Sequence, residues 1–309
     1  MSEWSPANIP DRSGRMAIVT GANSGLGFEA TNELARAGMH VVMAGRDIDR
    51  VENAREEIRA EIDGASLIVG ELDLASLDSV RSFTETITSE LDSLDLLCNN
   101  AGVMAIPRTE TDDGFETQFG VNHLGHFALT GQLLDALASA PDPRVVTHSS
   151  GLHTRGRMVF DDLHGESDYD KWDAYAQSKL ANLLFAYELD RRYGDVLTSV
   201  ACHPGWAATN LQRRGPERMG SRLRVVAMDV ANRLFAQSAA QGAWPMLYAA
   251  TESDLNGGEY VGPGGLFDMR GPPEEQRSSE RSYDPAAATE LWRRSEELTD
   301  VEYGAVDPA

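Results

Sequence analysis

Tyr175 and Lys179 stand four residues apart in the run YAQSKLANLLFAYELDRRY, whose composition predicts a helix over 175–193. At that spacing the phenol and the ammonium share one helix face. A tyrosine that titrates near ~10 is a poor acid–base at neutral pH. A neighbouring cation favours its phenolate and brings proton exchange with a substrate oxygen within reach. Any two residues can fall at this interval, so the pair carries meaning only with companions. His123, His126, His148, His153 and His164 invite a metal reading. No Cys/His spacing of ligand type accompanies them, and no metal is expected. Cys98 and Cys202 lie in apolar, strand-like runs and read as reduced core residues.

The element that must position such a pair lies near the start of the chain, in RMAIVTGANSGLG, Arg15 to Gly27. Met16 to Val19 reads as a buried parallel strand. The strand stops at Thr20-Gly21, a turn through Asn23, Ser24, Gly25, Leu26 and Gly27 follows, and then Phe28, Ala30, Leu34 and Ala37 recur at helical spacing before Gly38. Strand, glycine turn and helix make the first half of a βαβ unit. Gly21 permits the tight exit, Gly25 lets backbone N–H groups approach a pyrophosphate, and Gly27 lets the helix pack closely on the sheet with its positive end toward the phosphates. The spacing is T-G-x-x-x-G-x-G, and a glycine triplet alone also suits a loop that merely needs positive φ.

The rest of the chain alternates in the same manner. Strands are expected at Met39–Ala44, Leu67–Val69, Leu94–Cys98, Arg144–Thr147 and Leu197–Cys202, and helices at Asp49–Ile62, Ser76–Leu91, Asp112–Leu137 and Tyr175–Tyr193. This predicts an α/β fold: one doubly wound (Rossmann) domain over 1–309, with about seven parallel strands and helices on both faces. The second strand ends in Gly45-Arg46-Asp47, where an acidic residue grips a ribose 2′-OH and an arginine accommodates a 2′-phosphate. Arg46 favours NADP(H), and Asp47 beside it leaves NAD(H) open. Asp73 and Leu74 end the third strand, where Asp73 suits either an adenine contact or a helix cap. Asn99-Asn100-Ala101-Gly102 ends the fourth, and small residues with amides there fit the ligand crevice of an open sheet. Residues 206–240, which mix arginines with Leu223, Val225, Val226, Met228, Leu234 and Phe235, read as a lid over an apolar substrate or as a core-packing helix. Residues 266–309 read as a C-terminal extension, with a short amphipathic helix at Leu291–Leu298.

Lys+Arg number 27 and Asp+Glu 49, a net charge of −22, and Lys171 and Lys179 are the sole lysines. An acidic surface of this kind argues against nucleic acid and anionic membranes as partners. It is either simply well solvated or adapted to a very salty cytoplasm, where screening tolerates self-repulsion; the second reading is favoured. No apolar run approaches the roughly 20 residues of a membrane span. The N-terminus lacks the basic start and apolar stretch of a signal peptide, so a cytoplasmic location is expected.

Taken together, TGANSGLG at 20–27, NNAG at 99–102, Asn122, Ser150, YAQSK at 175–179 and PGWAAT at 204–209 resemble the short-chain dehydrogenase/reductase family over roughly residues 12–265. HLGHF at 123–127 and SKLAN at 178–182 are similar to its retinol dehydrogenase-type branch. The resemblance implies a hydride and proton pathway. Tyr175 would be the acid in reduction and the base in oxidation. Lys179 would lower its pKa and hold the nicotinamide ribose, and Ser150, with Ser149 as the alternative, would bond the substrate oxygen. Asn122 would carry a water from Lys179 to solvent, and Pro204, Gly205 and Thr209 would border the nicotinamide. The substrate would be a small-molecule carbonyl or alcohol, and copies would associate as a homodimer or homotetramer through the helices at 112–137 and 175–193. A C=C reductase resembling protochlorophyllide reductase and a non-catalytic nucleotide sensor are the other readings of the same motifs.

Overall fold

The computed structural model describes residues 4–205, 238–265 and 268–306. Thr209 and most of the expected lid over 206–240 lie outside them.

Each predicted βα unit forms. β1 (Met16–Thr20), β2 (His40–Gly45), β3 (Leu67–Glu71), β4 (Leu96–Asn99), β5 (Arg144–His148) and β6 (Thr198–Cys202) are parallel strands, joined by β7 (Tyr260–Pro263). Their order is β3-β2-β1-β4-β5-β6-β7-β8. Between them run α1 (Gly25–Arg36), α2 (Ile48–Glu61) and α3 (Leu77–Glu90), and later α7 (Lys171–Tyr193) and α8 (Ala239–Thr251). Central strands buried on both faces read as continuous apolar runs because helices cover both sides. Ala17, Ile18, Val19, Val41, Val42 and Met43 are fully buried. Arg144 is a buried exception: its guanidinium closes the end of α8 by donating to the carbonyls of Ala249 at 2.9 Å and Glu252 at 2.7 Å.

The segment expected as one helix over 112–137 is broken. Residues 111–116 form a tight turn in which Thr111 N–H donates to the Phe115 carbonyl at 2.8 Å. A single turn, α4 (Thr117–Phe119), leads into a π-helical turn at Gly120–Leu124, then α5 (Gly125–Gln132) and α6 (Leu134–Ala138). The chain turns at Gly114, which holds φ of 83°, and farther along Gly125 is pressed so close to β3's exit that a Cβ there would stand 2.6 Å from the Leu74 carbonyl oxygen. Inserted π turns of this kind often mark functional sites.

The sheet has eight strands rather than about seven, and the last, β8 (Pro273–Gln276), is antiparallel to β7. The tail beyond it folds back on the molecule. α9 (Pro285–Thr299) packs along α7, and its Trp292, 2% exposed, meets Phe127 of α5 edge-on at 5.2 Å and stacks on Phe185 of α7 at 5.8 Å. Arg192 lies over the same indole at 4.6 Å. A face of α5 and α7 is thus covered from within the chain, and contact between copies directly through that face would require α9 to leave it. Among the described residues no helix is long and apolar enough to cross a membrane, no group of three or more His, Cys, Asp or Glu could hold a metal ion, and Cys98 and Cys202 are buried free thiols.

Candidate active site

Strand order reverses between β1 and β4, and the carboxyl ends of the strands there open onto a cleft of about 350 Å³. A topological switch point is where open α/β sheets bind ligands. Gly21, Asn23, Ser24, Gly25, Leu26, Gly27, Arg46, Asp73, Leu74, Asn100, Ala101, Gly102, Ser150, Tyr175, Lys179, Pro204 and Gly205 all line it.

At one end the wall is mainly backbone. Gly21 and Gly25 hold φ of 69° and 56°, in the left-handed region that favours glycine. A Cβ on Gly27 would run into the Gly21 carbonyl and come within 2.7 Å of Asn100 Nδ2. Ser24 caps α1 with extended backbone. The first N–H groups of a helix have no partner within it, so they are free to meet an anion. Thr20 ties this loop to the next one: its Oγ1 accepts from Asn100 N–H and Ala101 N–H, both at 2.9 Å, and its carbonyl accepts from Asn100 Nδ2 at 2.7 Å.

At the tip of β2, Arg46 is largely exposed and sits 3.7 Å from Asp73. Asp47 turns to its own helix. Its carboxylate caps α2 by accepting Arg50 N–H at 3.2 Å and pairs with Arg50 Nε at 3.0 Å. Asp73 likewise caps its own turn, accepting Ala75 N–H at 3.0 Å. Two cations, Arg46 and Arg50, therefore border this end of the cleft. Sequence reasoning did not single out Arg50; its position one turn into a helix capped by Asp47 was the available signal.

At the other end the groups are buried side chains. Tyr175 and Lys179 are 5% and 4% exposed, and the ammonium lies 5.8 Å from the phenol ring centre. Lys179 Nζ donates to the His148 carbonyl at 3.1 Å. The two serines that end β5 part company. Ser149 Oγ donates to the Lys179 carbonyl at 2.7 Å, facing the helix, whereas Ser150 Oγ, in the cleft that Tyr175 also lines, accepts Leu152 N–H at 3.3 Å. Burial pushes the phenol up to about 12, opposed by the Ser150 hydroxyl, and pulls Lys179 down to about 8. The sequence led us to expect an ammonium that depresses the phenol. In the protein alone desolvation outweighs it, because removing water penalises the charged form of both groups.

Asn122 does not line the cleft but stands behind it, on the π turn. Its Oδ1 accepts Val103 N–H at 2.8 Å and its Nδ2 donates to the Val103 carbonyl at 3.0 Å and to Ser178 Oγ at 2.9 Å. The side chain clamps the 102–103 loop beside Lys179. Its carbonyl accepts from His126 Nδ1 at 3.1 Å. Val103, Met104, Thr117, Val121 and His148 also line the cleft. They carry no motif, and only the fold brings them there.

Residues 15–220 match the sequence model of the short chain dehydrogenases. The chain is 40% identical to mouse (Mus musculus) retinol dehydrogenase 14 over 304 residues, which cover 93% of this chain and 86% of that protein. It is also 40% identical to zebrafish (Danio rerio) polyprenol dehydrogenase over 295 residues, 93% of this chain and 87% of that one. A crystal structure of an uncharacterised protein from Mycobacterium paratuberculosis superposes with a TM-score of 0.80 at 42% identity, covering 98% of this chain and 100% of that chain.

Proposed function

The chain belongs to the short-chain dehydrogenase family of NAD(P)-linked oxidoreductases, and from that premise we propose that it interconverts a long apolar alcohol and its carbonyl partner with NADP(H). The fit of the dinucleotide rests on the donor set: glycine-loop and helix N–H groups for the pyrophosphate, and Arg46 with Arg50 for a 2′-phosphate, while Asp47 is occupied by its own helix. When bound, the nicotinamide supplies or accepts the hydride. The remaining chemistry belongs to the chain. Tyr175 gives its phenolic proton to the substrate oxygen in reduction and takes it back in oxidation. Ser150, which lines the cleft with that phenol, donates to the same oxygen as charge develops on it. Lys179 sits one turn along α7 and steadies the phenolate that stands after proton transfer in reduction and before it in oxidation. Asn122 serves from behind by fixing Val103 and Ser178.

The observation that carries this reading is that Ser150, Tyr175 and Lys179 line the same cleft as the glycine loop. The apolar substrate class follows from the relatives named for retinol and polyprenol and from Val103, Met104 and Val121 in the wall. A panel of long-chain and short-chain aldehydes, ketones and alcohols, each with NADPH/NADP and NADH/NAD, tests it. Turnover is expected with the long apolar members and NADP(H). Tyr175→Phe should cut kcat by about 10²–10⁴-fold, the usual contribution of a positioned acid–base. Turnover of the Phe variant at the wild-type rate overturns the assignment of the proton donor.

A further inference from the structure

The serine side of the cleft leans on a segment more than a hundred residues away in sequence. His153, 3% exposed, lies on the 3₁₀ turn Gly151–Arg155 that follows Ser150. Its Nδ1 is 2.7 Å from the Ser150 carbonyl oxygen, and its Nε2 accepts Ser279 N–H at 3.0 Å. A carbonyl can only accept and an amide N–H can only donate, so the ring is neutral with its proton on Nδ1. His203, 4% exposed, is built in mirror fashion: Nδ1 accepts Gly205 N–H at 3.2 Å, and Nε2 donates to Gln276 Oε1 at 2.9 Å. Gln276 Nε2 in turn donates to the Pro263 carbonyl at 2.9 Å. Tyr260 of β7 fills the space between, edge-on to His153 at 5.4 Å and stacked on His203 at 5.1 Å. Two buried imidazoles therefore each spend one nitrogen on the cleft wall and the other on the stretch from Gln276 to Ser279.

We propose that His153 and His203 are positioning residues through which the C-terminal segment 273–279 holds the active site: His153 sets Ser150 and His203 sets the Pro204–Gly205 turn. The inference rests on the roles given above to Ser150 and to that turn. The physical ground is orientation. The Ser150 peptide is held by two bonds to its carbonyl, from His153 Nδ1 and from His153 N–H at 2.9 Å, and a hydroxyl meant for a developing oxyanion gains from a fixed peptide. Gly205 adopts φ of 63° and has Pro263 and the Met269 carbonyl against it. The turn is thus seated on the same C-terminal scaffold.

Two amide replacements separate the limbs of His153. His153→Asn places an NH₂ where Nδ1 is and keeps the Ser150 bond; His153→Gln reaches Ser279 and gives up Ser150. The proposal expects His153→Gln to lower kcat about tenfold or more with its NADP dissociation constant within about twofold of wild type, while His153→Asn retains most of kcat. Gln276→Leu should do the reverse, raising the dinucleotide KM by about tenfold with kcat little changed. Loss of activity that merely follows the loss in Tm across all three variants overturns it, as does a Gln276→Leu enzyme with wild-type KM. If the unaltered protein turns over no substrate in the panel, the functional reading fails instead. A crystal structure of His153→Gln then decides the inference by itself: Ser150 Oγ must have shifted relative to Tyr175, and an unmoved hydroxyl refutes it.

Discussion

The two ends of the cleft are built on opposite principles. The end we propose for the dinucleotide is made of backbone: two glycines in left-handed conformation, one glycine with no room for a Cβ, and the first N–H groups of α1, with the guanidinium of Arg46 exposed at its rim. The reacting end is made of side chains that water barely reaches, Tyr175 and Lys179, with titration behaviour set by burial. The first end needs a backbone shape that side chains at its glycines would spoil; the second needs particular side chains, and each must be held by others. A phenol pushed up to about 12 beside an ammonium pulled down to about 8 is a site awaiting a charged partner, since a positive ring at the cleft would favour the phenolate.

The contrast can be broken most severely at Gly27. Gly27→Ala forces a methyl into the Gly21 carbonyl and Asn100. Such overpacking costs about 1–3 kcal/mol, and displacing the loop by about 1 Å should cost on the order of 100-fold in dinucleotide affinity, measured by titration. Unchanged affinity would mean that the cleft is not the dinucleotide site. Arg46→Glu sharpens the other half of the comparison. It should raise KM for NADP(H) by about ten- to a hundredfold, leave NAD(H) within about twofold, and lose much of its effect in high salt, because the contact is an exposed charge-assisted one.

A smaller effect tests burial without touching the cleft. His123, wedged among Phe119, Phe127 and Phe185, is held by desolvation at about 3, and His126 and His148 at about 4 and about 3. The unfolded chain binds these protons near ~6.5 and the folded one only well below, so stability is complete above ~6.5 and falls as pH drops from there, by up to about 1.4 kcal/mol per pH unit for each histidine. His123→Phe should flatten that slope by one histidine's share in urea melts at pH 7, 6 and 5. An identical slope would show that His123 titrates normally. The smallest expected change concerns the whole surface. At a net charge of −22, we propose that Tm rises with KCl as screening relieves repulsion; a protein most stable in dilute buffer refutes adaptation to a salty cytoplasm.

Much of this was legible in the chain because the signals are local. A strand, a tight glycine exit and a helix leave their marks within Arg15–Gly38, and the i, i+4 pair at Tyr175 and Lys179 follows from helix geometry alone. Most of what escaped was set by contacts between distant segments. The 112–137 stretch has an apolar pattern that suits one helix, yet the chain turns at Asp113-Gly114, with Gly114 at φ 83°, before the helical turns begin. Asn122 is polar in a helix-like run, and nothing beside it in sequence announces that Val103 and Ser178 consume its amide. The tail after 266 reads in sequence as an extension; in the structure it supplies the sheet's edge strand β8 and, through Trp292 of α9, packs on α5 and α7.

By itself the sequence determined the alternating βα order, the glycine loop at the first strand's exit, and which residue types could exchange a proton, because each depends on neighbours within one or two turns. Only the tertiary structure decided that Ser149 spends its hydroxyl on the Lys179 carbonyl, that Asp47 caps its own helix beside two arginines at the cleft, and that two buried histidines tie the segments after β5 and β6 to the C-terminal stretch. Those outcomes turn on where a side chain has a partner and where water is excluded, and neither is a property of the residue or its near neighbours in the chain.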